Sequence, residues 1–218
     1  MHVPYFIKEV IAGRTPNLSN SDIYTFGVYT GSSMQSLQLR MKDAEIRPSS
    51  FYGFDSFGGL PPEDPSVAVH SDHVPGTFSS KDYFKNDSIE NIIDAIKRDM
   101  AYGDITTFIP GFFSDSLREA DKLVLKYSMK PAALVEVDVD LYISTVELLD
   151  FMYSSKLIIP GTVIYYDDWG GGIVEYSGGE SLAHKQACDK YNVECEKIFE
   201  FGDGNPHKKM TFIVKSVG

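Results

Sequence analysis

Residues Ile23–Ala44 read IYTFGVYTGSSMQSLQLRMKDA. An apolar, aromatic run over Ile23–Tyr29 passes through a turn containing Gly27, Gly31, Ser32 and Ser33 into Met34, Leu37, Met41 and Ala44 at helical spacing. A strand feeding an amphipathic helix through a glycine turn is half of a βαβ unit. The pattern recurs outward. Short runs apolar on both faces lie at Phe51–Phe54, Thr106–Ile109, Ala132–Val137, Thr162–Tyr166 and Met210–Val214. Helix-period segments separate them: Ile89, Ile92, Ile93, Ile96 and Met100; Leu117, Ala120, Val124 and Tyr127; Val146, Leu149 and Met152; Ala183, Ala187 and Tyr191. Capping-box pairs stand before three of these, Asp87 with Glu90, Ser116 with Glu119 and Ser144 with Glu147. Strands buried on both faces and alternating with helices predict an open α/β sandwich, a mostly parallel sheet with helices on both faces.

The 218 residues predict one domain over 1–218, with 43% hydrophobic residues to supply its core. Asp plus Glu outnumber Lys plus Arg by 31 to 20, a net charge of −11, which disfavours a nucleic-acid partner. With no apolar stretch near membrane-span length and no basic-then-apolar N-terminus, the expectation is a soluble cytoplasmic protein without a membrane partner. Cys188 and Cys195 are expected to be ordinary reduced thiols, neither disulfide framework nor zinc site. Gly58–Ser80, with Pro61, Pro62, Pro65, Pro75, His70 and His73, is long for a βα connection. It reads as a lid over a site or as a plain surface loop.

Open parallel sheets bind ligands beyond the carboxyl ends of their strands, so polar residues there are candidates. At the first strand end the glycine turn lets a ligand approach backbone and a helix N-terminus. At the second, GFDSFGGLP places Asp55 where nucleotide-binding sheets put a ribose-binding acid, although a turn-capping Asp fits the fragment equally. Asp138 and Asp140 follow one strand and Asp167 and Asp168 close another. The 29 residues between Asp138 and Asp167 hold a crossover helix and a strand, so these acids converge. Converging carboxylates in an acidic protein suit a hard divalent cation such as Mg²⁺.

FYGFDSFGGLPPED, IPGFFSDSL, VDVDLYIST and PGTVIYYDDW resemble, in order and spacing, the successive motifs of the macrocin O-methyltransferase (TylF-like) family. The resemblance, from about Asp22 to Tyr191, implies a Rossmann-like class I methyltransferase fold and methyl transfer from S-adenosylmethionine to a sugar hydroxyl with a divalent metal. It implies that Gly27, Tyr29, Gly31 and Ser32 hold the methionine end of the cofactor, Asp55 and Ser56 the ribose, and Gly111, Phe112 and Phe113 the adenine. Asp138, Asp167 and Asp168 become the metal ligands, Asp140 a supporting residue, and Trp169 and Tyr142 neighbours of the acceptor. His73 and Asp138 are the candidate catalytic residues, with His70 in the same region. The family usually carries Glu where this chain has Thr25, which weakens a polar contact or replaces it with a hydroxyl. A silent cofactor-binding module and a metal-dependent hydrolase are the other readings, and a homo-oligomer is compatible with all of them.

Overall fold

The structure, a computed structural model, describes residues 3–68, 73–170, 176–202 and 208–218. Its strands are β1 (Asp22–Phe26), β2 (Ser50–Asp55), β3 (Thr106–Pro110), β4 (Ala132–Val137), β5 (Val163–Gly170), β6 (Glu194–Phe201) and β7 (Lys208–Ser216). They form one sheet of order β3-β2-β1-β4-β5-β7-β6. The first five strands pair in parallel, and β7 runs antiparallel to β5 and β6. The order reverses between β1 and β4, which is where an open sheet leaves a crevice.

The helices are α1 (Val3–Ile11), α2 (Ser32–Asp43), α3 (Ser80–Tyr83), α4 (Ile89–Arg98), α5 (Phe113–Ser116), α6 (Ala120–Tyr127), α7 (Tyr142–Ser154) and α8 (Gly179–Tyr191). Side chains alternate across β1, so Ile23 joins one core layer while Tyr24 and Phe26 join the other. Phe6 of α1, Met34, Leu37 and Met41 of α2 and Ile92 and Ile96 of α4 cover the first face. Leu148, Leu149 and Met152 of α7, with partly buried residues of α6 and α8, cover the second. Each fully buried Leu or Met contributes about 1.5–3 kcal/mol, so both faces are closed. The mostly parallel sheet with helices on both faces is the expected architecture.

Several local expectations need correction. Neither β6 nor α1 was apparent in the sequence pattern. β6 is an edge strand whose charged residues, Glu194, Glu196, Lys197 and Glu200, hide its period. The first strand stops at Phe26, and the turn begins at Gly27. The true cap of α4 is Ser88, whose side chain accepts from Asn91 N–H, one residue after Asp87. Ser116 lies inside α5, and Ser144 lies inside the first turn of α7, so neither caps a helix by its side chain.

The described part of Gly58–Ser80 is folded onto the strand ends. Leu60 N–H donates to Thr77 O and Gly76 N–H to Leu60 O, closing the segment on itself. Glu63 accepts from Ile143 N–H at the start of α7, Gly179 N–H donates to Val67 O, and Ser80 Oγ donates to Tyr29 O. These bonds anchor it to α7, α8 and the β1–α2 turn. His70 lies outside the described residues.

Candidate active site

A cavity of about 540 Å³ opens at the carboxyl ends of β1, β2, β4 and β5. One end is the β1–α2 turn, with Gly27, Tyr29, Ser32 and Ser33, and the other is the carboxylates Asp138, Asp167 and Asp168. Asp55, Ser56, Gly111, Phe112 and Phe113 line it from β2 and β3, and Leu60, Pro61, Pro62, His73 and Phe78 form a wall from the anchored segment.

At the turn, Gly27 has φ +87, and a Cβ there would stand 1.7 Å from Asp138 O. Only glycine lets the end of β1 pass this close to the end of β4. Gly31 also has positive φ and caps α2 without any side-chain hydrogen bond, so the first-turn N–H groups of α2 are not satisfied by a side-chain cap and suit an anion. Gly31 itself packs against Ile96 and is not part of the cavity wall.

Asp55 holds this turn in place. Its Oδ2 accepts from Val28 N–H at 2.6 Å and Tyr29 N–H at 2.8 Å, and its Oδ1 from Phe57 N–H at 2.6 Å. Burial raises its pKa, and the three N–H donors oppose the rise. The carboxylate therefore organises two turns, leaving lone-pair capacity on Oδ1. Ser56 Oγ donates to Gly59 O and accepts from Gly58 N–H, so that hydroxyl also serves its own turn.

At the acidic end, Asp138 follows β4 while Asp167 and Asp168 sit within β5, where pairing with β7 breaks register between Tyr166 and Gly170. An irregularity there re-aims side chains beside a site. Each of the three offers a carboxylate oxygen within 4.8 Å of the others. Octahedral Mg²⁺, with oxygens at about 2.1 Å, separates neighbouring ligand atoms by about 3 Å and opposite ones by about 4 Å. The three carboxylates, all oxygen donors gathered within 4.8 Å, are of the chemistry and near the spacing such an ion takes. Burial and then the charges of Asp167 and Asp168 push the Asp138 carboxyl well above the usual carboxylate range. Lys209 Nζ and Tyr165 Oη both donate to Asp167 Oδ1, so a lysine from β7 supplies positive charge at the cluster.

A family model described as macrocin-O-methyltransferase (TylF) matches residues 6–177. The chain belongs to that family. It is an S-adenosylmethionine-dependent O-methyltransferase. Among solved structures it resembles the O-methyltransferase NovP at 19% identity and TM-score 0.64, over 99% of this chain and 78% of that one. It resembles the calicheamicin methyltransferase CalS11 at 17% identity and TM-score 0.64, over 97% and 76%. The SAH-bound methyltransferase PaMTH1 of Podospora anserina aligns at 11% identity and TM-score 0.51, over 99% and 77%. These likenesses show the shared fold. No curated protein matches the sequence.

Within this TylF-family chain the cavity gathers most of the anticipated residues. Gly27, Tyr29, Ser32, Asp55, Ser56, Gly111, Phe112, Phe113, Asp138, Asp167, Asp168 and His73 all line it. His73 Nδ1 lies 3.5 Å from Asp140 Oδ1, and Asp140 adopts φ +62 at the bend after β4. Trp169 is instead fully buried between Tyr166, Tyr176, His184 and Phe212, and Tyr142 Oη donates to Gln186 outside the cavity wall. Trp169 packs in the core, and neither residue lines the cavity.

Two buried acids escaped sequence reasoning. Glu180 at the start of α8 accepts from Asp168 N–H at 3.1 Å and from Val139 N–H at 3.5 Å, bracing the carboxylate-bearing ends of β4 and β5. Its carboxyl is pushed far up by burial and by Asp168 and Asp138. Glu136 accepts from Thr25 and Ser33 hydroxyls, each at 3.0 Å. Nothing in the sequence distinguishes either from a surface glutamate. Both cysteines are free, as expected of reduced thiols, but His184 stands one helical turn before Cys188 and clusters with both.

Proposed function

We propose that the chain moves the methyl group of S-adenosylmethionine to a hydroxyl of a small sugar or related diol, with a hard divalent cation at Asp138, Asp167 and Asp168. The observation carrying this reading is that one cavity joins an uncapped helix N-terminus and glycine turn to a carboxylate triad. The N-terminus of α2 suits the methionine carboxylate, and the acids at the far end suit a sulfonium and a cation. Asp55 Oδ1 meets the ribose, and Gly111, Phe112 and Phe113 bound the adenine.

Bound S-adenosylmethionine supplies an electrophilic methyl on sulfur. A bound divalent cation supplies Lewis acidity that makes an alcohol a better nucleophile near neutral pH. The chain's own residues do the rest. Asp138, Asp167 and Asp168 hold and orient the acceptor end, with Glu180 fixing the backbone of Asp168. His73 takes the acceptor proton on its imidazole, and Asp140 orients that ring. Leu60, Pro61, Pro62 and Phe78 cover the acceptor and exclude water. CalS11 is described as a TDP-rhamnose 3'-O-methyltransferase, which makes nucleotide sugars the first acceptors to try. A small soluble cofactor and acceptor go with a cytoplasmic location; no helix among the described residues is long and apolar enough to cross a membrane.

Calorimetric titration with S-adenosylhomocysteine, with and without Mg²⁺, followed by methyl transfer to a panel of nucleotide sugars, tests the reading. Binding without Mg²⁺ and turnover that EDTA abolishes are expected. Turnover indifferent to EDTA removes the cation, and methylation confined to non-hydroxyl acceptors removes the acceptor class.

A further inference from the structure

His184 and Cys188 stand four residues apart on one face of α8. Asn192, in the left-handed region at φ +50, ends that helix and turns the chain back, bringing Cys195 of β6 against both. An imidazole nitrogen of His184 and the two sulfurs lie within 4.8 Å of one another, and His184 Nε2 is 3.5 Å from Cys188 Sγ. Tetrahedral zinc with sulfur at about 2.3 Å and nitrogen at about 2.0 Å separates those two ligand atoms by about 3.5 Å. The other imidazole nitrogen, Nδ1, is 2.9 Å from Tyr166 Oη. With Nδ1–H donating to that oxygen, the lone pair of Nε2 faces the sulfurs, the tautomer a metal ligand needs.

A second observation is independent of the three. Tyr153 Oη, on a buried side chain of α7, has no hydrogen-bond partner among the described residues, and the groups acting on it electrostatically are Cys188 and Cys195. A buried hydroxyl without a partner is costly unless something at the sulfurs accepts from it.

From this arrangement we infer that His184, Cys188 and Cys195 form a binding site for one thiophilic divalent cation of the zinc class, tying α8 to β6. Two thiolates and a neutral imidazole balance the dication, Tyr153 Oη lies within the electrostatic reach of both sulfurs, and a water completes four-coordination beside the half-buried cysteines. A Cys188–Cys195 disulfide would use neither His184 Nε2 nor Tyr153 Oη. The site is distinct from the all-carboxylate cluster in the cavity, whose oxygens suit hard ions, and does not depend on the proposed reaction.

Reduced, chelator-stripped protein titrated with Co²⁺ tests the site, because thiolate ligation gives a near-ultraviolet charge-transfer band that carboxylate ligation does not. The band is expected to saturate at one equivalent, to be displaced by Zn²⁺ and to survive excess Mg²⁺. Cys188→Ser should lose the band and weaken Zn²⁺ binding by more than about a hundredfold, the upper end of what an outer-shell partner alone supplies. Calorimetric binding of S-adenosylhomocysteine reports that the variant is folded. Cobalt binding to the wild type without the thiolate band overturns the inference whether or not the variant folds. Cysteines recovered as a disulfide that cannot be reduced without unfolding overturn it as well.

Discussion

Thr25 of β1 and Glu136 of β4 face one another in register, and Thr25 Oγ1 donates to Glu136 Oε2 at 3.0 Å inside the sheet. The other carboxylate oxygen accepts from Ser33 Oγ, at the cavity end of α2. Where the family resemblance leads to the expectation of an acid at Thr25, the acid here stands on the neighbouring strand and the hydroxyl faces it. Burial pushes the Glu136 carboxyl up to about 7, and its two hydroxyl donors oppose the rise. The hydroxyl that replaces the acid at Thr25 is thus engaged by Glu136 inside the sheet.

A swap experiment follows from that pairing. Glu136→Thr alone leaves a void and two hydroxyls without their acceptor, costing about 2–4 kcal/mol. Thr25→Glu alone forces a second acid against Glu136 in a filled, dry site and costs at least as much. The double variant restores one acid and one hydroxyl, so urea denaturation should find it more stable than either single variant, with a coupling of about 1–3 kcal/mol. Costs that simply add would show that the two positions do not share one acid site.

Asp55→Ala removes the acceptor of three backbone N–H groups in two turns. Stability should fall by about 2–4 kcal/mol, since each stranded donor in a half-buried turn costs about 1 kcal/mol or more. Affinity for S-adenosylhomocysteine should fall as well, because Val28 and Tyr29 shape the wall of the cavity proposed to hold the cofactor. A folded variant with unchanged stability and unchanged affinity by calorimetry would remove Asp55 from both roles.

What the sequence made legible follows from which forces leave a local trace. Strands buried on both faces, such as Ala132–Val137, appear as unbroken apolar runs. Acids after such runs, Asp138 and Asp167 among them, mark the strand ends that meet in space. β6 leaves no such trace because its exposed edge is mostly charged. Glu136 and Glu180 are recognisable only once Thr25, Ser33 and the backbone of Asp168 stand around them. Lys209, the counter-charge at Asp167, comes from β7, 42 residues away in the chain. His184 and Cys188 stand at helical spacing, but two side chains on one helix face carry no signal until the turn at Asn192 brings Cys195 to them.

Asp22 gives a pH signature away from the cavity. Its Oδ2 accepts from Lys130 N–H at 2.7 Å, while its buried Oδ1 has no hydrogen-bond partner among the described residues. Burial raises its pKa from 3.8 to about 6. The folded state then holds the proton more tightly than the unfolded chain. Stability from this group is full below about pH 4 and is lost as pH rises through about 6, by at most about 3 kcal/mol. Asp22→Asn cannot lose that proton, so its stability relative to wild type should rise between about pH 4 and pH 7. Denaturation curves across that range, flat in their difference, would refute the assignment.

Lys209 and the proposed Mg²⁺ would compete for the same carboxylates. The Lys209 ammonium sits on Asp167 Oδ1, next to the acids whose charges raise the pKa of Asp138, and it acts to lower that of the neighbouring Glu136. In Lys209→Gln the metal-free cluster keeps its acids and loses that charge, so the EDTA-treated variant should be less stable than wild type by about 1–2 kcal/mol. Removing a competing cation should also tighten Mg²⁺ binding, by about tenfold for one partly exposed charge at close range. The variant should therefore gain more from a Mg²⁺ series than the wild type does, by the binding linkage that raises Tm with ligand concentration. Asp167→Asn removes a ligand instead, and its gain should be smaller than that of the wild type. Opposite shifts in these two variants can arise only if the cation and the lysine share Asp167. If Mg²⁺ raises the Tm of neither variant and EDTA leaves wild-type turnover intact, Lys209 is the cation this cluster uses, and the divalent ion drops out of the mechanism.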